Sequence, residues 1–419
     1  MAIEKAPRRT GTAKRGGDVE SVKSRAARDD HPPMSRLLEL ANTVGSQAER
    51  TAVEAEQSRK ADDSAVRALI ESGLLKVLQP ARFGGYESGF PGFVRISQTL
   101  ARYDVSLSWV YGIICIHHWW GALVEPELQE ELWGKSPECV FVDSFAPTGR
   151  AEPVDGGFRL SGRWGFLSGL PWAEWSSVGA FAPWEPGGSK EYLMFFLPKR
   201  DYQVVDDWYT VGLRGSASAS IEAQEAFVPR HRVFRFGKAM ETGEAPGLAY
   251  NPGAIYRVPI TTGLGIALVP PSVGGAQGVA ERFRKAAGAR APLFQQRQAE
   301  LVVSQSVLAE SMATIDAIEL MLYRYADELM DIAREQRTVD RAERARLFAW
   351  RAYIARRARE VVGNLVDIAG ARSIFDNNPL QRFWRDVHVM GQHVALNHEA
   401  AMRNYGRVLM GLEPDVPVY

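Results

Sequence analysis

The chain has 419 residues, 46% of them hydrophobic and 24% charged, and Lys+Arg and Asp+Glu both number 50, so the net charge is zero. That length supplies a large core over two or three structural units, and the balanced charge gives no footing for nucleic acid or an anionic membrane. No apolar run reaches the roughly 20 residues that span a bilayer, and the two cysteines, Cys115 and Cys139, sit in no CxxC or Cys/His metal spacing, which leaves them as small core residues of a chain suited to the reducing cytoplasm.

Residues 1–32 are basic, rich in Arg, Lys, Gly and Ala, and poor in large apolar residues. They have no apolar h-region, so a disordered arm is expected rather than a secretory signal. From Pro33 to Cys139 the pattern is helical. Ala65, Leu69, Ile70 and Leu74 recur at helical spacing, the Leu78–Tyr86 loop carries Pro and Gly, and helices follow over 91–103 and 106–120. The last of these is apolar nearly all round and is therefore predicted to be buried. Over 140–236 short β-rich runs appear, among them Val140–Val142, Phe158–Ser161, Ser176–Phe181, Tyr192–Leu197 and Tyr202–Val205, separated by Gly- and Pro-containing turns. That spacing predicts a central antiparallel β domain. Over 237–419 long amphipathic helices return, at about 298–334, 341–369 and 379–410, and predict a bundle. The fold class expected is α+β, mainly α: helical domain (33–139), β domain (140–236), helical bundle (237–419).

Common cofactor fingerprints are missing. Gly263-Leu264-Gly265 lacks the third glycine of a dinucleotide loop, and there is no Walker-A loop, GxSxG elbow or HExxH. His388, His393 and His398 lie five residues apart on the predicted last helix, where successive steps of about 140° keep them off one face. No metal site is expected. His117-His118-Trp119-Trp120 closes the buried helix and reads either as packing or as a pocket wall. Trp164-Gly165-Phe166-Leu167-Ser168-Gly169 reads either as aromatic core or as a surface for a planar ligand with a hydroxyl at its edge.

Three stretches, in order, resemble the acyl-CoA dehydrogenase superfamily. They are Leu160–Gly169, then Gly212-Leu213-Arg214-Gly215-Ser216-Ala217-Ser218 with Val228-Pro229, then Leu380–Asp386. Within it the chain is most similar to the two-component flavin-dependent monooxygenases of the p-hydroxyphenylacetate 3-hydroxylase type. The similar stretches include Ser108-Trp109, Cys115-Ile116-His117, Ser144–Pro147, Phe383–His388, Gly391-Gln392-His393 and Leu409–Asp415. The catalytic glutamate of the dehydrogenases would fall at or next to Val394; here the run is Met390-Gly391-Gln392-His393-Val394, with no carboxylate, and Glu399 lies more than a turn further on.

The resemblance implies an oxygenase component that takes reduced FMN or FAD from a separate flavin reductase. It reacts the flavin with O2 to a C4a-hydroperoxide and hydroxylates an aromatic or other planar small molecule. It also implies a homotetramer. By resemblance, Ser168 sits at flavin N5, Trp109 packs near the ring, and His393 lies by the oxygen-reactive face, where a near-neutral pKa suits proton handling. Ser144 sits at the substrate or flavin edge. His117 faces the substrate, with Trp119 a further candidate beside Trp120, Trp172 and Tyr256. Arg290 matches an arginine that reaches the flavin phosphate from a neighbouring subunit. The alternatives are an acyl-CoA oxidoreductase, an N-oxygenase of the same fold, and a non-catalytic scaffold.

Overall fold

A computed structural model of the chain describes residues 31–289 and 297–415. Arg290 and the expected N-terminal arm up to residue 30 lie outside the described residues. From Pro32 onward the chain packs as one unit. Six helices come first: α1 (Met34–Arg50), α2 (Ala52–Ser58), α3 (Asp63–Glu71), α4 (Gly89–Ala101), α5 (Val105–Gly121) and α6 (Pro126–Trp133). Seven strands follow: β1 (Phe141–Val154), β2 (Gly157–Leu167), β3 (Trp175–Pro183), β4 (Lys190–Pro198), β5 (Gln203–Val205), β6 (Ala219–Pro229) and β7 (Val233–Phe234). Helices then resume as α7 (Phe236–Thr242), α8 (Ile260–Leu264), α9 (Pro270–Ala289), α10 (Val302–Glu335), α11 (Arg341–Ile368), α12 (Pro379–Met390) and α13 (His398–Leu409).

The strands form one sheet in the order β5-β6-β2-β1-β3-β4-β7. Its pairings are antiparallel except β1 with β3, which run parallel. β1 is long enough to serve two neighbours. Its first half pairs β3, and its second half folds back on β2 through the Asp155-Gly156 turn, with Gly156 at φ 74°. An irregularity between Ser144 and Gly149 separates the halves and twists the strand. The parallel pairing arises because β2, antiparallel to β1, ends towards the start of β1, and the short 168–174 connection starts β3 at that same end, with Trp175 opposite Phe141.

α5 is the axis of the molecule. Asp104 caps it, its side chain accepting from the Leu107 N–H at 2.7 Å. Every residue of α5 except Ile113 is buried. It touches α4, β1, α9 and the turn around Gly215, so both helical layers and the sheet meet along it. This explains why its sequence is apolar on all faces rather than along one stripe.

The single helix predicted over 379–410 is broken in two. α12 ends at Met390, a short 3-10 turn occupies Val394–Leu396, and α13 starts at His398. Asn397 caps α13 by accepting from the Ala400 N–H at 2.9 Å, and the His393 backbone is extended at φ −61°, ψ 135°. His388, His393 and His398 therefore do not share a helix. Among the described residues no group of three His, Cys, Asp or Glu is placed to hold a metal ion. Both cysteines are buried and free.

Candidate active site

Trp109 lies in the second turn of α5 and donates its indole N–H to Ser168 Oγ at 3.0 Å. An indole only donates, so Ser168 accepts here and its own hydroxyl proton stays available. Ser168 Oγ is 2.8 Å from Ser218 Oγ, which is 2.8 Å from Ser216 Oγ. All three serines are buried, and they form a row of hydroxyls that starts at the Trp109 indole.

The loop that carries Ser216 and Ser218 is strained. Leu213 and Ala217 both have positive φ, at 52° and 50°, a conformation that side-chain-bearing residues adopt only when the surroundings impose it. The imposing group is Asp386 of α12. It accepts from the Leu213 N–H at 2.6 Å and from Ser106 Oγ of α5 at 3.0 Å. The Gly169 N–H donates to the Ser216 carbonyl at 2.9 Å, and the Ala61 N–H to that of Gly215 at 2.9 Å. The Leu380–Asp386 stretch thus clamps the 212–218 loop onto the start of α5. Burial, reinforced by the Asp104 carboxylate, pushes the Asp386 pKa up to about 7.

His393 approaches from the break between α12 and α13. Its ring centroid lies 6.1 Å from that of Trp109, with the planes at 60°. Trp109 therefore contacts both Ser168 and His393. His393 is exposed to solvent, yet enough protein surrounds the imidazole to desolvate its charged form, so the ring stands in an open recess. Desolvation, and then the positive charge of Arg351, lowers its pKa to about 4. The near-neutral pKa expected for this residue is corrected: at neutral pH the ring is uncharged. Two residues before Ser168, Phe166 is 80% exposed with φ 65°, and its ring meets Trp208 edge-on at 5.8 Å.

A second polar cluster lies two turns along α5, about 12 Å on at 1.5 Å per residue. His117 Nε2 is 2.8 Å from Asp143 Oδ1, and its Nδ1 is 3.2 Å from the Phe141 carbonyl. Trp120 donates to Asp143 Oδ2 at 2.9 Å. His117 is 2% exposed, so in this structure both ring nitrogens face protein partners. Ser144 is buried on the next position of β1 and points to the opposite face from Asp143, because side chains alternate along a strand. That face is shared with Val142, which would touch a Cβ at Gly169, the neighbour of Ser168. Trp119 is packed in the core, its N–H donating to the Ile255 carbonyl at 2.8 Å. Tyr256 is buried with its hydroxyl on the Leu78 carbonyl at 3.1 Å, and Trp172 donates to Asp63 at 2.9 Å.

The structure thus joins Trp109, Ser168 and His393, keeps His117 in a separate buried pair, and sets Trp119 apart from both. Asp143, Ser216 and Ser218 were not picked out by the sequence reading. The signals for them were an acid inside an apolar strand and two serines in the loop that resembles the family's Gly-x-Arg-Gly-Ser. A surface trough of about 430 Å3 lined by Tyr202, Glu222 and Phe227 lies on the β5–β6 edge and includes none of these residues.

Residues 266–398 match the family described as acyl-CoA dehydrogenase, C-terminal domain. The oxygenase subunit HsaA, a flavin-dependent monooxygenase of Rhodococcus jostii (strain RHA1), is 33% identical over 90% of this chain and 98% of its own. The FADH2-dependent resorcinol hydroxylase oxygenase component of Rhizobium sp. (strain MTP-10005) is 31% identical over 91% of this chain and 94% of its own. The p-hydroxyphenylacetate 3-hydroxylase oxygenase component of Acinetobacter baumannii is 30% identical over 90% of both. The crystal structure of the HsaA monooxygenase from M. tuberculosis superposes with a TM-score of 0.86 at 30% identity, covering 92% of this chain and 99% of that one. With this identity carried over nearly the full length of the relatives, the chain belongs to the flavin-dependent monooxygenase oxygenase components built on the acyl-CoA dehydrogenase fold.

Proposed function

We propose that the chain takes reduced FMN or FAD from a partner flavin reductase and uses O2 to hydroxylate an aromatic or other planar small molecule. The observation that carries this reading is the contact of Trp109 with both Ser168 and His393. The residues fit the ring of a flavin: the aromatic face of Trp109, the hydroxyl of Ser168 and the neutral imidazole of His393, the last two both in contact with Trp109. Bound reduced flavin supplies the electrons that activate O2.

The chain's own residues divide the remaining work. Trp109 walls the ring and fixes the orientation of Ser168. Ser168, which accepts from the indole and lies 2.8 Å from Ser218 Oγ, would place its hydroxyl at flavin N5, as the resemblance implies. His393 holds a proton on a neutral ring beside the same surface. The apolar length of α5 shields the inner side of the site, where Trp109 and Ser168 are buried. Ser144 and His117 are assigned to the substrate side by the resemblance, with Asp143 as the buried partner of His117 at 2.8 Å, and Trp119 is the further substrate-side candidate. Arg290 is assigned to the flavin phosphate. Relatives named for resorcinol and p-hydroxyphenylacetate support an aromatic substrate.

A dehydrogenase reading needs a carboxylate at the reacting face. Glu399 opens α13 with its side chain 83% exposed and paired to Arg403 at 3.1 Å, so it is turned to solvent. We also propose a homotetramer in the cytoplasm. Exposed Val302, Val303, Leu320, Leu409 and Met410 offer apolar surface for self-association. Among the described residues no helix is long and apolar enough to cross a membrane.

Isotope-labelled O2 tests the reaction. Reduced flavin, labelled O2 and a panel of phenols and related aromatics should give product carrying one labelled oxygen atom. Bleaching of protein-bound oxidised flavin by an acyl-CoA, with no labelled product from any aromatic, would replace this reading with the dehydrogenase one.

A further inference from the structure

Arg351 is a guanidinium in the interior of α11, 1% exposed. Its Nε donates to the carbonyl of Ala395 at 2.9 Å, and its Cζ sits 4.6 Å over the ring of Phe348. Gly265 leaves room for it: a Cβ there would come within 2.0 Å of Arg351 Nη1. Ala395 in turn donates its backbone N–H to Nδ1 of His393 at 3.2 Å. One residue therefore links the buried cation to the candidate active-site imidazole, through its N–H on one side and its carbonyl on the other.

The direction of the second bond decides the state of the ring. A backbone N–H can only donate, so His393 Nδ1 must accept and carries no proton. In the neutral imidazole the proton then sits on Nε2. Among the described residues, Nε2 has no protein partner.

We infer that Arg351 is the positioning residue for His393: by holding the Ala395 carbonyl it fixes the 3-10 turn whose N–H selects the Nε2–H tautomer, so that His393 meets a ligand in the recess as a hydrogen-bond donor. The inference rests on the reading that His393 lines the flavin recess. The lowered pKa of His393, to which burial and the Arg351 charge both contribute, keeps the ring neutral at physiological pH and so supports a fixed tautomer. The bonding logic also distinguishes Arg351 from a plain core cation, whose removal would change stability but leave the imidazole protons where they are.

Nitrogen NMR of histidine-labelled full-length protein at neutral pH reads the tautomer directly, with His393→Asn identifying the signal. The wild type should show a protonated Nε2 and a bare Nδ1. Arg351→Met should mix the two tautomers and lower the fraction of turnovers that yield product by about tenfold, the scale of one lost hydrogen bond to a charged group. Arg351→Lys should recover little, because it keeps the charge without the Nε donor. Gly265→Ala displaces the guanidinium while retaining it, and should give the same mixing if Arg351→Met does not fold. A wild-type spectrum with Nδ1 protonated overturns the inference without any variant, as does an unchanged His393 signal in folded Arg351→Met or Gly265→Ala. Mixed tautomers with unchanged coupling would keep the positioning role and remove His393 from the flavin site.

Discussion

Trp109 Nε1 donates to Ser168 Oγ at 3.0 Å across the seam between α5 and the end of β2. Because the indole cannot accept, Ser168 is the acceptor in this contact, and its Oγ begins a row of hydroxyls that continues to Ser218 and Ser216. It also joins two positions 59 residues apart in sequence. The seam is where the helical layer, the sheet and the 212–218 loop meet, and it is the part of the site most directly exposed to test.

Trp109→Phe removes the donor and keeps most of the ring. The expected loss is about 1 kcal/mol of binding to reduced flavin, a several-fold weaker Kd. More hydrogen peroxide should be released per molecule of product, because Ser168 is then free to turn. Anaerobic titration and peroxide assays check both; wild-type values in each would detach Trp109 from the cofactor.

Asp386 links pH to stability through its raised pKa of about 7. In the unfolded chain this carboxyl titrates near 3.8. Between the two values the folded state binds the extra proton, so this group's contribution falls as pH rises, by at most about 1.4 kcal/mol per pH unit. Above about pH 7 the effect levels off. Asp386→Asn can still accept from the Leu213 N–H and should flatten that dependence, read as Tm between pH 5 and 8. Parallel wild-type and variant profiles would contradict it.

His118 acts in the opposite sense. It is 1% exposed, its Nδ1 lies 3.1 Å from the Leu75 carbonyl, and burial lowers its pKa to about 4 from an ordinary 6.5. Between these values only the unfolded chain takes the proton. Stability is therefore lost as pH falls from about 6.5 to about 4, again by up to about 1.4 kcal/mol per unit. His118→Asn should cost stability at neutral pH through lost packing but reduce the acid slope over this window. An unaltered slope would place the acid sensitivity elsewhere.

Asp143 holds two buried donors, His117 Nε2 and Trp120 Nε1. Asp143→Ala strands both and should destabilise the fold by roughly 3 kcal/mol, as expected when one partner of a buried pair is removed. Asp143→Asn should cost less, since its amide oxygen still accepts from Trp120. Chemical denaturation separates them, and equal losses would mean that a neutral acceptor at this position cannot replace the carboxylate.

The order of helices, strands and helices was legible because each segment's hydrophobic period is local. Ser168 and Trp109 stand in short strings that resemble a family, and the structure brings the two into contact. Other features depended on distant contacts. The strain at Leu213 makes sense only with Asp386, 173 residues away. The parallel β1–β3 pairing follows from the path of β2, not from the composition of any strand. The break after α12 had local signals, Gly391 and the capping Asn397, but the apolar spacing ran through them and read as one helix. The pKa of His393 could not be read at all, because it depends on the walls of the recess and on Arg351.

Trp109, Ser168 and His393 are proposed as the reduced-flavin site. Anaerobic calorimetric titration of reduced FMN and FAD into wild type, Trp109→Phe, Ser168→Ala and His393→Ala tests it most directly. One site per chain is expected, weakened several-fold or more in each variant while the thermal transition stays within a few degrees of wild type. Undiminished binding in all three folded variants would contradict it and send the search for the flavin to another part of the molecule.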